Sequence, residues 1–416
     1  MKVLVVGGGG REHTLVWKLA QSSRVSKVYC APGNAGTAGI GTNLPIPDND
    51  IPALLSFARD NNIGLTVVGP EVPLVNGIVD QFEAAGLRIF GPNARAAILE
   101  GSKVFTKELL YKYGIPTAEY HRFTHASKAL EFLASNTIYP IVVKADGLAA
   151  GKGVLISLTR EEAQQGVKDM MEDKVFGNAG DAIIIEEFMS GPELSMLCFV
   201  DSYTAKPMVS AKDYKRIGEG DTGLNTGGMG AISPNPLYDG ELEKFCLKNI
   251  IEPTLEGMRQ EGRPFKGILY CGIMLTEAGP KVLEYNVRFG DPETQVILPR
   301  LKTDLLDIFE AVVDDRLAEI DIRWDKAAAA TVVLASKGYP EAYPKGLPIS
   351  GLDQVRNSVV FHAGTSDKDG EIVTSGGRVL NVTTRAASVA VALSQSYQNA
   401  DLIQFDGKTI RRDIGS

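Results

Sequence analysis

The sequence predicts a multi-domain α/β protein that opens with a parallel, doubly wound sheet and closes with a small, mostly β unit. Three observations predict it. Short apolar runs at Lys2–Val6, Lys27–Cys30, Leu65–Val68 and Arg88–Phe90 are each separated by enough chain for a helical crossover, the pattern of a parallel sheet. The 416 residues exceed what one hydrophobic core usually supports. Past Ala327, the apolar run Thr331–Leu334 gives way to turn signals such as Lys337-Gly-Tyr-Pro340 and Ser375-Gly-Gly377, as expected of a compact β unit.

Taken in order, residues 1–102 form the first sheet unit, whose ligands belong at the strand C-terminal ends. Residues 103–190 open with a helix ending near Gly114-Ile-Pro116 and continue through strands at Ile141–Lys144 and Ala182–Glu186. The segment from Gly147 to Gly153 is a glycine loop between strands that can close over phosphates. Residues 191–326 carry the glycine-rich Thr226–Gly230 and the densest polar motif, and 327–416 form the terminal unit.

Composition excludes several functions. A net charge of -8 gives no bulk reason to bind nucleic acid or an anionic membrane, so local groups must hold any anionic ligand. Cys30, Cys198, Cys246 and Cys271 lack a CxxC pair, which fits buried thiols in a reducing compartment. The apolar start, Met1–Val6, is too short for a signal h-region, and no window approaches the ~20 apolar residues of a membrane span. A soluble, cytoplasmic protein is expected. Nothing in the sequence specifies an oligomeric state.

The polar motif runs from Glu284 to Gln295. Val282 and Leu283 follow a Gly279-Pro280 turn and read as a strand, on which alternate residues share a face. Glu284, Asn286 and Arg288 therefore point the same way. A carboxylate and an amide oxygen are hard ligands of the kind Mg2+ takes, and an arginine beside them can hold a developing phosphate charge. The alternative is an ordinary strand end with solvated charges. The Arg, Gly, Asp, Pro and Glu that follow favour function.

Gly7-Gly8-Gly9-Gly10-Arg11-Glu12-His13 follows a strand and opens a helix, where free N–H groups and the helix dipole favour an anion. A dinucleotide is the first candidate, but GxGxxG fails, because its last glycine falls on Glu12 or His13. The second strand also lacks the acidic residue that takes a ribose hydroxyl. A phosphate site remains, with Asn34 and Glu71 at the same sheet edge. Lys103 and Lys144, on separate elements, can converge on a polyphosphate. Glu186, Glu187 and Phe188 join a strand to a polar turn whose backbone can read an adenine edge, with Glu193 placed to accept ribose hydroxyls.

These motifs, in this order, resemble the ATP-grasp superfamily and, within it, the phosphoribosylamine–glycine ligase family. The resemblance is carried across the whole chain by Gly7–His13, Ala31–Asn34, Gly69–Glu71, Leu99–Lys103, Lys144–Gly153, Asn225–Gly230, Arg288–Glu293 and Phe361–Thr365. It implies that ATP phosphorylates the carboxylate of glycine and that 5-phosphoribosylamine then attacks the glycyl phosphate, an early step of purine synthesis. It also implies that Lys103, Lys144, Gly151, Lys152 and Gly153 hold or cover the ATP phosphates, and that Glu186, Glu187, Phe188 and Glu193 line the nucleoside. Glu284 and Asn286 would ligate Mg2+ or Mn2+. Gly9, Gly10, Arg11, Asn34, Glu71, Gly227, Gly228 and Met229 would contact substrate, with the ribose 5-phosphate on the N-terminal turn.

Chemically, an acyl phosphate requires two anions to approach, and metal, lysines and Arg288 would neutralise their repulsion. Asp213 and Asp291 are candidates to take the amine proton, with binding of the glycine ammonium as the alternative. Lys212, Tyr214, Leu224 and Pro192 depart from the family pattern, which touches fine substrate contacts rather than the reaction. Tyr270–Met274 offers no second metal carboxylate. Of the rivals, a biotin-dependent carboxylase would need a carrier segment, an NAD-dependent oxidoreductase meets the failed dinucleotide pattern, and a noncatalytic nucleotide sensor would lack Glu284 and Asn286.

Overall fold

The computed structural model describes residues 1–148 and 153–416. The N-terminal unit is a five-stranded parallel sheet of β1 (Lys2–Gly7), β2 (Lys27–Pro32), β3 (Thr42–Asn43), β4 (Leu65–Val68) and β5 (Ile89–Phe90), in the order β3-β2-β1-β4-β5. The expected apolar runs supply four of these strands, while β3 has no apolar run to announce it. Val3 and Val5 pack into one core with Leu15, and Leu4 and Val6 into another with Leu54 and Phe82. Both faces of β1 are thus covered, which is why it is apolar at every step.

The second unit contains β6 (Tyr120–Phe123), β7 (Ile141–Ala145), β8 (Val154–Ser157) and β9 (Ile183–Glu187), an antiparallel sheet in the order β6-β9-β7-β8. Its helices Ala126–Ser135 and Arg160–Met171 close a separate core around Leu133, Val143, Val167 and Ile185. The 147–153 segment joins the antiparallel neighbours β7 and β8, and Gly153 accepts from the Ala145 N–H at 2.9 Å. The expectations for Gly151 and Lys152 lie outside the described residues.

The third unit supplies β10 (Glu193–Val200), β11 (Ala205–Pro207), β12 (Lys212–Asp213), β13 (Arg216–Gly218), β14 (Thr222–Asn225), β15 (Gly230–Ser233), β16 (Gly267–Thr276) and β17 (Gly279–Asn286). Four of them form the antiparallel sheet β11-β10-β16-β17. β12 and β15 leave it to extend the C-terminal sheet, β15 pairing with Ala328–Ser336, which continues to Arg378–Ala386 and Val359–His362. The boundary expected at 326 is therefore bridged by one sheet. Apolar cores are shared as well, with Val5, Phe199, Phe309 and Ala329 in one cluster. Among the described residues no helix is long and apolar enough to cross a membrane, and the four cysteines are free and buried.

The expected Gly279-Pro280 turn is corrected. The turn falls at Glu277–Ala278, and β17 already runs from Gly279. Pro280 is tolerated because β17 lies at the end of its sheet. A bulge between the partners of Gly272 and Ile273 inserts one residue into β17, so Val282 and Tyr285, three positions apart, both reach the core. Beyond the bulge the ordinary alternation resumes, and Glu284, Asn286 and Arg288 share the opposite face.

Candidate active site

On the nucleotide side, Lys144 of β7 and Glu186 of β9 are diagonal neighbours on one sheet face, and Lys144 Nζ donates to Glu186 Oε2 at 2.9 Å. Glu186 is only 3% exposed, and its Oε1 is buried with no partner among the described residues. Lys103 opens the helix Lys103–Lys112 and donates to the Gly147 carbonyl at 2.9 Å. Asp146 Oδ1 accepts from the Val104 N–H at 3.1 Å and Ser102 Oγ at 3.0 Å, so this helix start is tied to the start of the 147–153 loop. Just past β9, Glu187 pairs with Lys281 at 2.7 Å, Phe188 is 40% exposed, and Glu193 pairs with Lys215 at 3.0 Å. An exposed phenylalanine between an ion-paired edge and a buried acceptor is a surface suited to a planar base.

Glu284 lies open to this cleft while chain surrounds it on its other sides. Burial opposes its charge, but Lys215, Lys144, Lys103 and Arg288 outweigh that cost and hold its carboxyl below the usual range. Four cations from separate segments thus act on one carboxylate through their charge, while three of them pair directly with other carboxylates. Asn286 Oδ1 accepts from Arg288 at 3.2 Å. Opposite these residues β16 presents Gly272 and Tyr270, and among the described residues no group of three His, Cys, Asp or Glu assembles a metal cage. The donor set is two hard oxygens, which fits a hard divalent cation that takes the rest of its shell from phosphate and water.

Arg288 is more committed than its sequence position suggested. Its guanidinium reaches Glu71 at 3.2 Å and Glu100 at 3.3 Å as well as the Phe289 carbonyl at 3.2 Å. Glu100 also accepts from the Val287 N–H at 2.7 Å. The arginine thus fixes the strand end carrying Glu284 and Asn286 to the N-terminal unit.

The N-terminal turn differs from expectation. Glu12 folds back so that its Oε2 accepts from the Gly9 N–H at 2.6 Å, and its Oε1 pairs with Arg11 at 2.5 Å. Arg11 also donates to the Phe289 carbonyl at 3.1 Å. One donor of the turn, the Gly9 N–H, is taken by the protein's own carboxylate, because a glutamate three residues after the cap position reaches back to the first free donor. Gly69 is required for this: a Cβ there would stand 2.0 Å from Glu12 Oε1. A Cβ on Gly10 would meet Asn381 and Gln295 at 2.6 Å, so Gly10 serves packing against the C-terminal sheet. Asn34 is also structural. Its Oδ1 caps Gly36 and Thr37, while its Nδ2 donates to the Gly8 carbonyl at 2.9 Å and the His362 carbonyl at 2.8 Å, which uses its whole hydrogen-bonding capacity.

The 226–230 loop is pinned from the C-terminal unit. Arg378 donates to the Gly227 carbonyl at 2.6 Å and to the Asp291 carbonyl at 2.7 Å, and it pairs with Asp291 Oδ2 at 3.3 Å. Met229 is fully buried, and its N–H and carbonyl bond to Tyr214 and Val333, so it supports the loop from beneath. Burial disfavours charge on Asp291, but Arg378 and Arg11 overcome it and hold the carboxyl below its ordinary range. Asp213 behaves oppositely: burial, then Glu193 and Glu284, raise it against Lys215. Glu293 is pushed up to about 7, first by burial and then by Asp213. It accepts from the Tyr270 hydroxyl at 2.9 Å, which lies 2.5 Å from Ser195 Oγ. Burial and the Asp213 charge thus both oppose ionisation of Glu293.

Sequence reasoning gave no role to Lys107, Glu100, Lys215, Glu293 or Arg378. Lys107 falls four residues after Lys103 on one helix face, a spacing that was available as a signal. Arg378 had none, since only the folded chain brings it to Asp291.

Two antiparallel sheets, β6-β9-β7-β8 and β11-β10-β16-β17, with Glu284 and Asn286 on the second, give the arrangement of an ATP-grasp protein, and similarity to known proteins agrees. Family models match residues 1–100 as the N domain, 101–294 as the ATP-grasp domain and 329–416 as the C domain of phosphoribosylglycinamide synthetase. The phosphoribosylamine–glycine ligase of Halalkalibacterium halodurans is 50% identical over 100% of this chain and 97% of its own length. The trifunctional purine biosynthetic protein adenosine-3 of Gallus gallus is 52% identical over 100% of this chain, which spans 42% of that longer protein. The crystal structure of phosphoribosylamine–glycine ligase from Thermotoga maritima covers both chains fully, with a TM-score of 0.86 at 34% identity. The chain belongs to the phosphoribosylglycinamide synthetase family.

Proposed function

We propose that the protein joins glycine to 5-phosphoribosylamine, converting ATP to ADP and phosphate in purine biosynthesis. The single observation that carries this reading is the setting of Glu284, whose carboxyl is held below the usual range by the charges of Lys215, Lys144, Lys103 and Arg288, an arrangement suited to an anionic, phosphate-rich ligand. A glycine carboxylate oxygen attacks the γ-phosphorus, the bond to the β-phosphate oxygen breaks, and ADP leaves. The amine of phosphoribosylamine then attacks the acyl carbon, phosphate departs, and the amine loses a proton.

Lys103 and Lys144 hold the phosphates, and Glu186, Glu187, Phe188 and Glu193 line the nucleoside. Glu284 and Asn286 would hold Mg2+ or Mn2+, whose chemistry is to neutralise charge between the transferring phosphates. Arg288 orients Asn286 and the strand end. The second unit, with its own core, is suited to close as a lid that keeps water from the acyl phosphate. The Asp213–Glu293 pair is better matched than Asp291 to accept the amine proton, because Asp291 is held ionised by Arg378 and Arg11 and is the weaker base. The sugar phosphate is placed between the N-terminal turn and the 226–230 loop. A cytoplasmic location completes the reading.

The test supplies ATP, Mg2+, glycine and freshly made phosphoribosylamine and follows ADP release together with product mass. Absence of amine-dependent ADP, or equal turnover with bicarbonate replacing glycine, would overturn it.

A further inference from the structure

Lys107 is 3% exposed, and its ammonium donates to Thr117 Oγ1 at 2.7 Å and the Ala118 carbonyl at 3.4 Å and pairs with Glu186 Oε2 at 3.3 Å. Two hydrogen bonds and an ion pair hold it among protein groups. Thr117 in turn donates to the Val282 carbonyl of β17 at 2.8 Å, two residues before Glu284. Lys144 takes the same oxygen of Glu186 at 2.9 Å. Both cations therefore sit on Oε2, and Oε1 is buried with no partner among the described residues.

The two lysines differ in how firmly they are held. Among the described residues the Lys144 ammonium bonds to Glu186 alone, so it can turn toward a polyphosphate. Lys107 is held at three points and stays. When Lys144 turns away, Lys107 is the cation that keeps Glu186 ionised and in place.

We propose that Lys107 is a positioning residue for the nucleotide: it locks Glu186 with Oε1 free to accept an N–H from the purine, and through Thr117 it ties that acceptor to the strand of Glu284. The proposal rests on the ATP reading of the cleft. A buried acceptor without a partner is costly, so a base that donates there is favoured over one that presents a second acceptor. A 6-amino purine donates, and a 6-oxo purine presents its carbonyl. Burial lowers the Lys107 pKa to about 8, and Glu186 opposes that fall.

The test compares Lys107→Gln and Lys107→Arg with the unaltered chain, measuring dissociation constants for ATP and inosine triphosphate by calorimetry, steady-state KM and kcat, and thermal melting. The expected result for Lys107→Gln is a loss of ATP affinity and a rise in KM of about ten-fold, with kcat changed by less than about three-fold and the preference for ATP over inosine triphosphate reduced in step. Lys107→Arg, which restores a cation, recovers most of that preference. A folded Lys107→Gln chain with unaltered ATP affinity, or an equal loss for both triphosphates, overturns the proposal. If Lys107→Gln does not fold, Thr117→Val, which removes one acceptor of the ammonium, decides in its place: a reduced preference for ATP supports the positioning role and an unaltered one overturns it. An unaltered chain that binds no ATP overturns the underlying reading, and the proposal with it.

Discussion

Arg288 and Glu71, 217 positions apart in the chain, meet at 3.2 Å, and through that pair the strand end carrying Glu284 and Asn286 is joined to the N-terminal sheet unit. Arg288 also covers Glu100, which burial pushes toward the protonated form.

Arg288→Ala should therefore cost both activity and stability. Removing the cation leaves Glu100 and Glu71 without their partner, a change of about 3–5 kcal/mol for a buried pair, reduced where Glu71 reaches solvent. Turnover should fall on the order of 10²-fold. Arg288→Lys keeps the charge but loses the planar fork, and should recover stability more than turnover. Chemical denaturation and single-turnover rates separate the two effects, and equal recovery of both would contradict the orienting role.

Glu284→Gln removes a charge while preserving shape. Turnover should fall on the order of 10²-fold or more, whereas nucleotide affinity measured without divalent metal should hold or rise, since Lys215, Lys144 and Lys103 lose the carboxylate they now face. Metal-free affinity that fell as steeply as turnover would argue against the metal-ligand assignment.

The interface of His13 and His362 predicts sensitivity to acid. His13 Nδ1 accepts from the His362 N–H at 2.7 Å. Burial lowers the pKa of His13 to about 3, with the His362 charge as a second cause, and burial lowers His362 to about 4. The unfolded chain takes up these protons near 6.5 and the folded chain does not, so the unfolded state binds more protons as pH falls from 6.5 toward 4. Stability should be fully present above about 6.5 and decline below it, by at most about 1.4 kcal/mol per pH unit for each imidazole. Urea denaturation at pH 5 and 7.5 measures the slope, and His13→Asn, which keeps an acceptor, should flatten it.

Asn34→Ala removes a helix cap and strands the half-buried Gly8 carbonyl and the buried His362 carbonyl at the junction of the first and last units. The cap contributes about 1 kcal/mol and each stranded group about 1–3 kcal/mol. A loss of several degrees in melting temperature should appear with ATP affinity unchanged. A variant as stable as the parent, with only the KM for phosphoribosylamine raised, would instead restore Asn34 as a substrate ligand.

Glu293 should govern a rising limb of activity near neutrality. With its carboxyl pushed up to about 7, it becomes the carboxylate needed to accept a proton as pH rises through that value. Glu293→Gln should abolish the limb and lower kcat, and a limb that persisted unaltered would move the base elsewhere.

The sequence by itself determined the parallel N-terminal sheet, the strands at Ile141 and Ile183, and the shared face of Glu284, Asn286 and Arg288. Each follows from a local rule: apolar runs broken by glycine or proline, crossover-length spacing, and the two-residue period of a strand. Family motifs spread over the chain supplied the chemistry. Tertiary structure alone decided the rest. It bonded Glu12 to one donor of the expected phosphate cradle, committed Asn34 to capping and cross-linking, gave Arg288 two distant carboxylates, and stationed Arg378 where no local pattern placed it. A charged side chain's role depends on which opposite charge shares its low-dielectric surroundings, and that partner is chosen by how distant segments pack rather than by sequence neighbours.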